Sequence, residues 1–221
     1  GTPPGAKPRT AAISSEVHGT THFIAIDRAG DIATMTSTVE SPFGSQLVAN
    51  GYMLNNELTD FTFAPEKNGA PVANRVEAGK RPLSSMSPTI VYDETGKPIF
   101  TVGAAGGKTI IMQVAKALIA RLDWGLSAMD SIGLGLVYFN KNGIILEQGT
   151  TLEPMKTAME ALGHKVTVAK LGLKANSAAF ENGHWVGAAD PRGPARRVRR
   201  VDDDDVALER GRRRVAGPLD G

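Results

Sequence analysis

The sequence predicts an α+β domain in which helices pack on a largely antiparallel sheet. Three observations carry that expectation. Several segments alternate apolar and polar residues and are joined by short Gly-, Asn- or Asp-containing turns. Two other segments space their apolar residues as helices do. The chain is also turn-rich and aromatic-poor, with 25 Gly, 13 Pro and 5% aromatic residues. At 221 residues and 41% hydrophobic content it holds enough apolar material for one core.

The elements follow in order. Residues 1–19 contain three prolines and no apolar period, and read as an extended or disordered leader. Residues 22–27 (HFIAID) alternate as a strand, 27–30 turn, and 31–38 (DIATMTST) return as its partner. A second hairpin is expected from 89–92 through 93–97 into 98–104. Ile110, Ile111, Val114, Leu118 and Leu122 then fall at helical spacing, with Gly125 ending the helix. Residues 153–163 form a shorter amphipathic helix stopped by Gly163, leading into a strand at 164–170. Residues 177–189 fold back around Asn182-Gly183. The folded body is therefore expected over 20–191.

From Arg192 the composition changes to a charged tail, 192–221, with nine Arg and six acidic residues. The whole chain has a net charge of only +2, so the body itself is close to neutral and a polybasic nucleic-acid-binding body is excluded. The tail reads either as an arm for an anionic surface or as a solvated end that is not native to this domain. The Asp202–Asp205 block, which interrupts the basic runs, favours the second reading, and no nucleic-acid partner is expected. Cysteine is absent, which removes disulfides, thiolate metal sites and a cysteine nucleophile together. His18, His22, His164 and His184 have no ligand spacing, so no metal is expected, and no cofactor-binding loop is present. No apolar run reaches the roughly 18 residues of a spanning helix.

What remains is a dense set of hydroxyls, carboxylates and glycines between residues 19 and 107. Gly19-Thr20 joins an unhindered glycine carbonyl to a threonine at the border between leader and strand. A threonine hydroxyl needs a base, and cleavage of the preceding bond would supply one by freeing the α-amine of Thr20. Thr34, Thr36 and Thr38 share one face of their strand, which makes either a solvent-facing ladder or a row of hydroxyls brought beside Thr20. Asn55, Asn56, Glu57 and Asp60 are concentrated in LNNELTDF, and such carboxylates can grip an ammonium group. Ser84 and Ser85 lie in a proline-braced stretch and suit a carboxylate. Gly103–Gly107 (GAAGG) sits between strand and helix, where bare backbone N–H groups either stabilise an oxyanion or simply make a tight turn.

Taken together, GTTHF (19–23), TSTVESPFGS (36–45), LNNELTDF (54–61), GKRPLSSMSPT (79–89), VGAAGG (102–107) and GAADPR (187–192) resemble the small subunit of γ-glutamyltransferase (γ-glutamyltranspeptidase). The six stretches stand in family order and cover about residues 20–192. The resemblance implies a four-layer αββα sandwich of the N-terminal nucleophile hydrolase type. It also implies autocatalytic cleavage between Gly19 and Thr20, after which Thr20 attacks the γ-glutamyl amide of glutathione and its freed amine serves as base. Thr38 matches the threonine that contacts the nucleophile, and Gly106 and Gly107 match the oxyanion-hole glycines. Glu57 and Asp60 match the acidic pair that holds the donor ammonium, with Glu40 assisting, and Ser84 and Ser85 match the pair on its α-carboxylate. The resulting γ-glutamyl ester passes to water or to an amino acid or peptide.

The same likeness implies a heterodimer with the large subunit of the same precursor, which supplies an arginine to the site, and residues 1–19 resemble the end of that subunit. It also carries an expectation of a periplasmic or secreted location. Two departures stand out. Position 40 is Glu where many members have Asn, and the tail replaces a Gly-rich, mostly neutral ending, as a shifted reading frame would do. A glutaryl or cephalosporin acylase on the same scaffold and an unprocessed, inactive precursor fragment are the alternative readings.

Overall fold

The computed structural model describes residues 19–140 and 142–193; the leader up to residue 18 and the tail beyond residue 193 lie outside them. The chain enters on β1 (Thr21–Ile26) and returns on β2 (Ile32–Ser37). Asp27 closes this turn, its Oδ1 accepting the Asp31 N–H at 2.9 Å and its carbonyl the Gly30 N–H at 3.2 Å. Two short hairpins follow, β3 (Val48–Ala49) with β4 (Tyr52–Met53) and β5 (Glu66–Lys67) with β6 (Ala70–Pro71). Each closes on an Asn-Gly pair at positive φ, Asn50-Gly51 and Asn68-Gly69. The alternation pattern missed both, because a two-residue strand has no alternation to detect.

The second expected hairpin is β7 (Thr89–Tyr92) with β8 (Pro98–Ala105). A 3-10 turn at Gly107–Thr109 leads into α1 (Ile110–Leu122), which is followed by α2 (Ala128–Gly133). Ser127 caps α2, its hydroxyl accepting the Asp130 N–H at 3.1 Å. Next come β9 (Val137–Asn140), β10 (Gly143–Glu147), α3 (Lys156–Ala161) and β11 (Val166–Ala169). The described residues end on the hairpin of β12 (Lys174–Glu181) and β13 (His184–Ala189), turning at Asn182-Gly183 as expected.

The main sheet has the order β13-β12-β8-β7 and is antiparallel throughout. A second sheet, β11-β10-β9, pairs β10 parallel with β11 across α3 and so departs from the antiparallel expectation. β8 lies at the centre of the molecule and uses its two faces differently. Phe100, Val102 and Ala104 pack under α1 and α2 with Ile110, Val114, Ala117 and Ile132. The opposite face, with Thr101 and Gly103, meets the β1–β2 hairpin. The stack is therefore helices, four-stranded sheet, hairpin: three layers among the described residues. Many of the core positions are alanine, which lets the helices lie close on the sheet.

Two expectations need correction. The buried face of α1 is Ile110, Gln113, Val114, Ala117 and Ala120, whereas Ile111 and Leu122 are half exposed. Ile110 and Val114 are in the core and Leu118 packs against it, as the spacing predicts, while alanines and a bonded glutamine complete the face and leave Ile111 and Leu122 outside it. The last helical residue is Leu122, and Gly125 follows at φ +67° in the turn that closes the helix, as expected.

Arg192, which composition assigns to the tail, belongs to the body. It donates to Glu147 Oε2 (2.7 Å) on β10, to Asp190 Oδ1 (2.7 Å), and to the carbonyls of Leu134 (3.1 Å) and Ile132 (2.5 Å). Lys116 reaches the same two carbonyls from α1, and burial pulls its ammonium down to about 8, with the neighbouring Arg192 charge adding to the effect.

Candidate active site

Hairpin register builds the centre of the site. Thr21 lies opposite Ser37, and one step further out the register sets Thr20 opposite Thr38. The Thr20 hydroxyl donates to Thr38 Oγ1 at 3.0 Å. Thr38 Oγ1 also accepts the Glu40 N–H at 2.9 Å, in a tight bend where Glu40 has φ +73°. A side chain of that kind in left-handed backbone is uncommon and costs free energy that the surrounding bonds must supply. Those bonds are visible: the Glu40 carbonyl accepts the Gly19 N–H (3.3 Å), and its Oε2 accepts from the Ser41 hydroxyl (3.3 Å). Gly19 lies so close to this bend that a Cβ there would sit 2.7 Å from the Ser41 carbonyl oxygen. With Gly19 attached, the Thr20 nitrogen is an amide and has no basicity.

The threonine face turns inward. Thr34, Thr36 and Thr38 all point to the side away from the exposed Met35 and Ser37, toward the four-stranded sheet. Between them lies His22, whose spacing to the other histidines gives no sign of a role. It is 5% exposed, its Nδ1 lies 2.9 Å from Thr36 Oγ1 and its Nε2 lies 3.3 Å from Thr34 Oγ1. Burial pulls its pKa from 6.5 to about 4, so the ring is neutral at pH 7. A neutral imidazole donates from one nitrogen and accepts at the other, so it fixes the direction of the hydroxyl row. The ring occupies the space above Gly103, where a Cβ would be 2.1 Å from His22 Cε1. A polar residue on the inward side of a strand and a glycine inside the apolar run 98–104 were the available signals.

Glu57 and Asp60 sit on one 3-10 turn, Glu57–Asp60. Asn56 ties that turn to the Glu40 bend, its Oδ1 accepting the Ser41 N–H (3.0 Å) and its Nδ2 donating to Ser41 Oγ (3.0 Å). Asn55 accepts the Glu57 N–H (3.1 Å), so both asparagines brace the turn. Asn74, in a loop without sequence signal, links the turn to the serine pair: it donates to the Asp60 carbonyl (2.7 Å) and accepts from Leu83 N–H (3.0 Å). The Glu57 carboxyl is pushed up first by burial, then by the hydrogen bond and charge of Asp60, then by Glu40. Its Oε1 is buried with no hydrogen-bond partner among the described residues. Acidic groups crowded in this way favour a cation among them.

A cleft of about 480 Å³ collects most of these residues: Thr20, Thr38, Glu40, Glu57, Asp60, Ser84, Ser85 and Gly107 all line it, as do Asn74 and Lys108. Gly106 does not line it. It makes the turn behind, at φ +135°, where a Cβ would press on Thr109 Oγ1 and Gln113 Nε2. Buried Gln113 holds that turn by donating to the Ala105 carbonyl and accepting the Lys174 N–H. Among the described residues no group of three His, Cys, Asp or Glu side chains is placed to hold a metal.

The fold is that of solved gamma-glutamyltranspeptidases. The gamma-glutamyltranspeptidase from Pseudomonas nitroreducens, complexed with L-DON, superposes with a TM-score of 0.70 at 27% identity, covering 80% of this chain and 98% of that one. A cephalosporin acylase from Bacillus halodurans, 19% identical with a TM-score of 0.67, shares the fold alone over 77% of this chain and 32% of its own. The profile of the family described as Gamma-glutamyltranspeptidase matches residues 3–198, and the chain belongs to that family. The glutathione hydrolase proenzyme of Bacillus subtilis (strain 168) is 34% identical over 176 residues, 77% of this chain and 29% of that protein. A putative inactive glutathione hydrolase 4 of Arabidopsis thaliana is 43% identical over 130 residues, 55% of this chain and 67% of that protein. The chain thus spans under a third of the Bacillus subtilis relative's length.

Proposed function

We propose that this chain carries the catalytic small-subunit part of a γ-glutamyltransferase and glutathione hydrolase. The observation that carries the reading is the Thr20–Thr38 hydroxyl contact at 3.0 Å, in a cleft also lined by Glu57, Asp60, Ser84, Ser85 and Gly107. Cleavage of the Gly19–Thr20 bond frees the Thr20 amine, which takes the proton from its own hydroxyl. Oγ1 then adds to the γ-glutamyl carbonyl, and the backbone N–H of Gly107, which lines the cleft, receives the oxyanion; the family likeness adds the N–H of Gly106 in the turn behind it. Collapse breaks the C–N bond, the departing amine takes the proton, and a Thr20 ester remains. Water or an acceptor amine adds to the ester through the same oxyanion site, and Thr20 is regenerated. Glu57 and Asp60, assisted by Glu40, hold the donor ammonium, and Ser84 and Ser85 its α-carboxylate.

A large subunit from the same precursor completes the site with an arginine and completes the fold. The outward face of the β1–β2 hairpin exposes Phe23 (45%) and Met35 (48%), apolar surface that a fourth, helical layer would cover in an αββα sandwich. Export to the periplasm or beyond is part of this proposal and rests on the family likeness.

The test is expression of the precursor in its full reading frame, followed by N-terminal sequencing and assays with γ-glutamyl and glutaryl donors. The expected outcome is a subunit beginning at Thr20 that turns over the γ-glutamyl donor. Preference for the glutaryl donor would make the protein an acylase, and a folded assembly with the Gly19–Thr20 bond intact would make it a silent precursor.

A further inference from the structure

We infer that Lys108 is a specificity-determining residue of this cleft, reading a carboxylate on the amine that leaves the γ-glutamyl carbonyl or on the acceptor that replaces it. The inference rests on the transferase reading above. Among the charged residues that line the cleft, Glu40, Glu57 and Asp60 are acidic and Lys108 is the cation. Position separates their roles. Glu57 and Asp60 share one turn and mark the end that takes the donor ammonium. Lys108 belongs to another turn, Gly107–Thr109, and follows Gly107, which lines the same cleft as Thr20. Adjacent Cα atoms are about 3.8 Å apart, so its side chain starts one residue from the glycine to which the transferase reading assigns the oxyanion.

Lys108 is exposed, and among the described residues no carboxylate forms an ion pair with it. A solvent-facing ammonium on a flexible four-carbon stem suits a carboxylate whose position varies from one amine to the next. Cysteinylglycine, the amine released from glutathione, ends in such a carboxylate. A peptide acceptor presents the same group, so one cation would serve both half-reactions.

The experiment compares γ-glutamyl-4-nitroanilide with γ-glutamyl-3-carboxy-4-nitroanilide on the processed two-subunit enzyme, as wild type, Lys108→Met and Lys108→Arg. These donors differ only by a carboxylate on the leaving amine. The ratio of kcat/KM for the carboxylated over the plain anilide is expected to fall about two- to fivefold in Lys108→Met, the scale of a solvent-accessible ion pair. It should be retained in Lys108→Arg and should shrink toward the Lys108→Met value in high salt. An unchanged ratio in Lys108→Met, with both anilides still turned over, overturns the inference alone. Equal losses on both anilides overturn it too, since they place Lys108 on the donor side. No turnover of either donor by processed wild type overturns the transferase reading and this inference together.

Discussion

A histidine two residues from the proposed nucleophile Thr20 invites a role as general base, but the bonding of His22 gives it a different one. Both ring nitrogens are engaged by Thr34 and Thr36, and burial holds the ring neutral with a pKa of about 4. Its part is to order hydroxyls, the neutral ring donating at one nitrogen and accepting at the other. A His whose folded pKa is depressed lets the unfolded chain bind the extra proton first. Its contribution to stability is therefore complete above about pH 6.5 and is lost as pH falls toward 4. The shift corresponds to roughly 3 kcal/mol at most. Urea unfolding midpoints of the assembled protein should fall between pH 7 and pH 4.5, and His22→Gln should flatten that part of the curve. A slope identical in the variant would show that other groups carry the acid sensitivity.

At the scale of elements, β8 is a strand with two duties, and glycine divides them. Its Phe100–Val102–Ala104 face is packed under helices, while Gly103 on the other face makes room for the His22 ring. Gly103→Ala places a methyl 2.1 Å from His22 Cε1, and overpacking of this kind costs about 1–3 kcal/mol. Gly133 in α2 supplies the contrast: its φ is ordinary and nothing lies within 4 Å of a Cβ added there. Gly133→Ala is expected to be neutral or to raise stability by up to about 1 kcal/mol through the unfolded chain. Thermal melts of the two variants side by side check the pair, and a melting point lowered equally in both would refute the packing argument.

The whole molecule is joined at its far end by charge. Arg192 reaches Glu147, Asp190 and the carbonyls of Ile132 and Leu134 at the end of α2, so one guanidinium links the main sheet, the second sheet and the helical layer. Removing one member of a buried ionic cluster leaves its partners uncompensated. Arg192→Met should therefore cost about 3–5 kcal/mol in denaturant unfolding, without touching the cleft. A loss below about 1 kcal/mol would mean that Glu147 and Asp190 find other partners.

The resemblance motifs, the two hairpins that bound β1–β2 and β7–β8, and the Asn182-Gly183 turn were legible in the sequence because each is a local property of a few adjacent residues. So was the roster of cleft residues, since Thr20, Glu57, Ser84 and Gly107 stand in short segments of distinctive chemistry. Three-dimensional packing decided the rest. Only the hairpin register put the Thr38 hydroxyl 3.0 Å from Thr20 and resolved the threonine face as inward rather than solvated. Only packing across β8 distinguished the buried stripe of α1 from its exposed isoleucine and leucine and gave His22 its neutral ring, and only the contacts to Glu147 and Asp190 moved Arg192 from tail to body. Those facts depend on contacts between residues far apart in the chain, whose free energies exist only once both partners have been brought together.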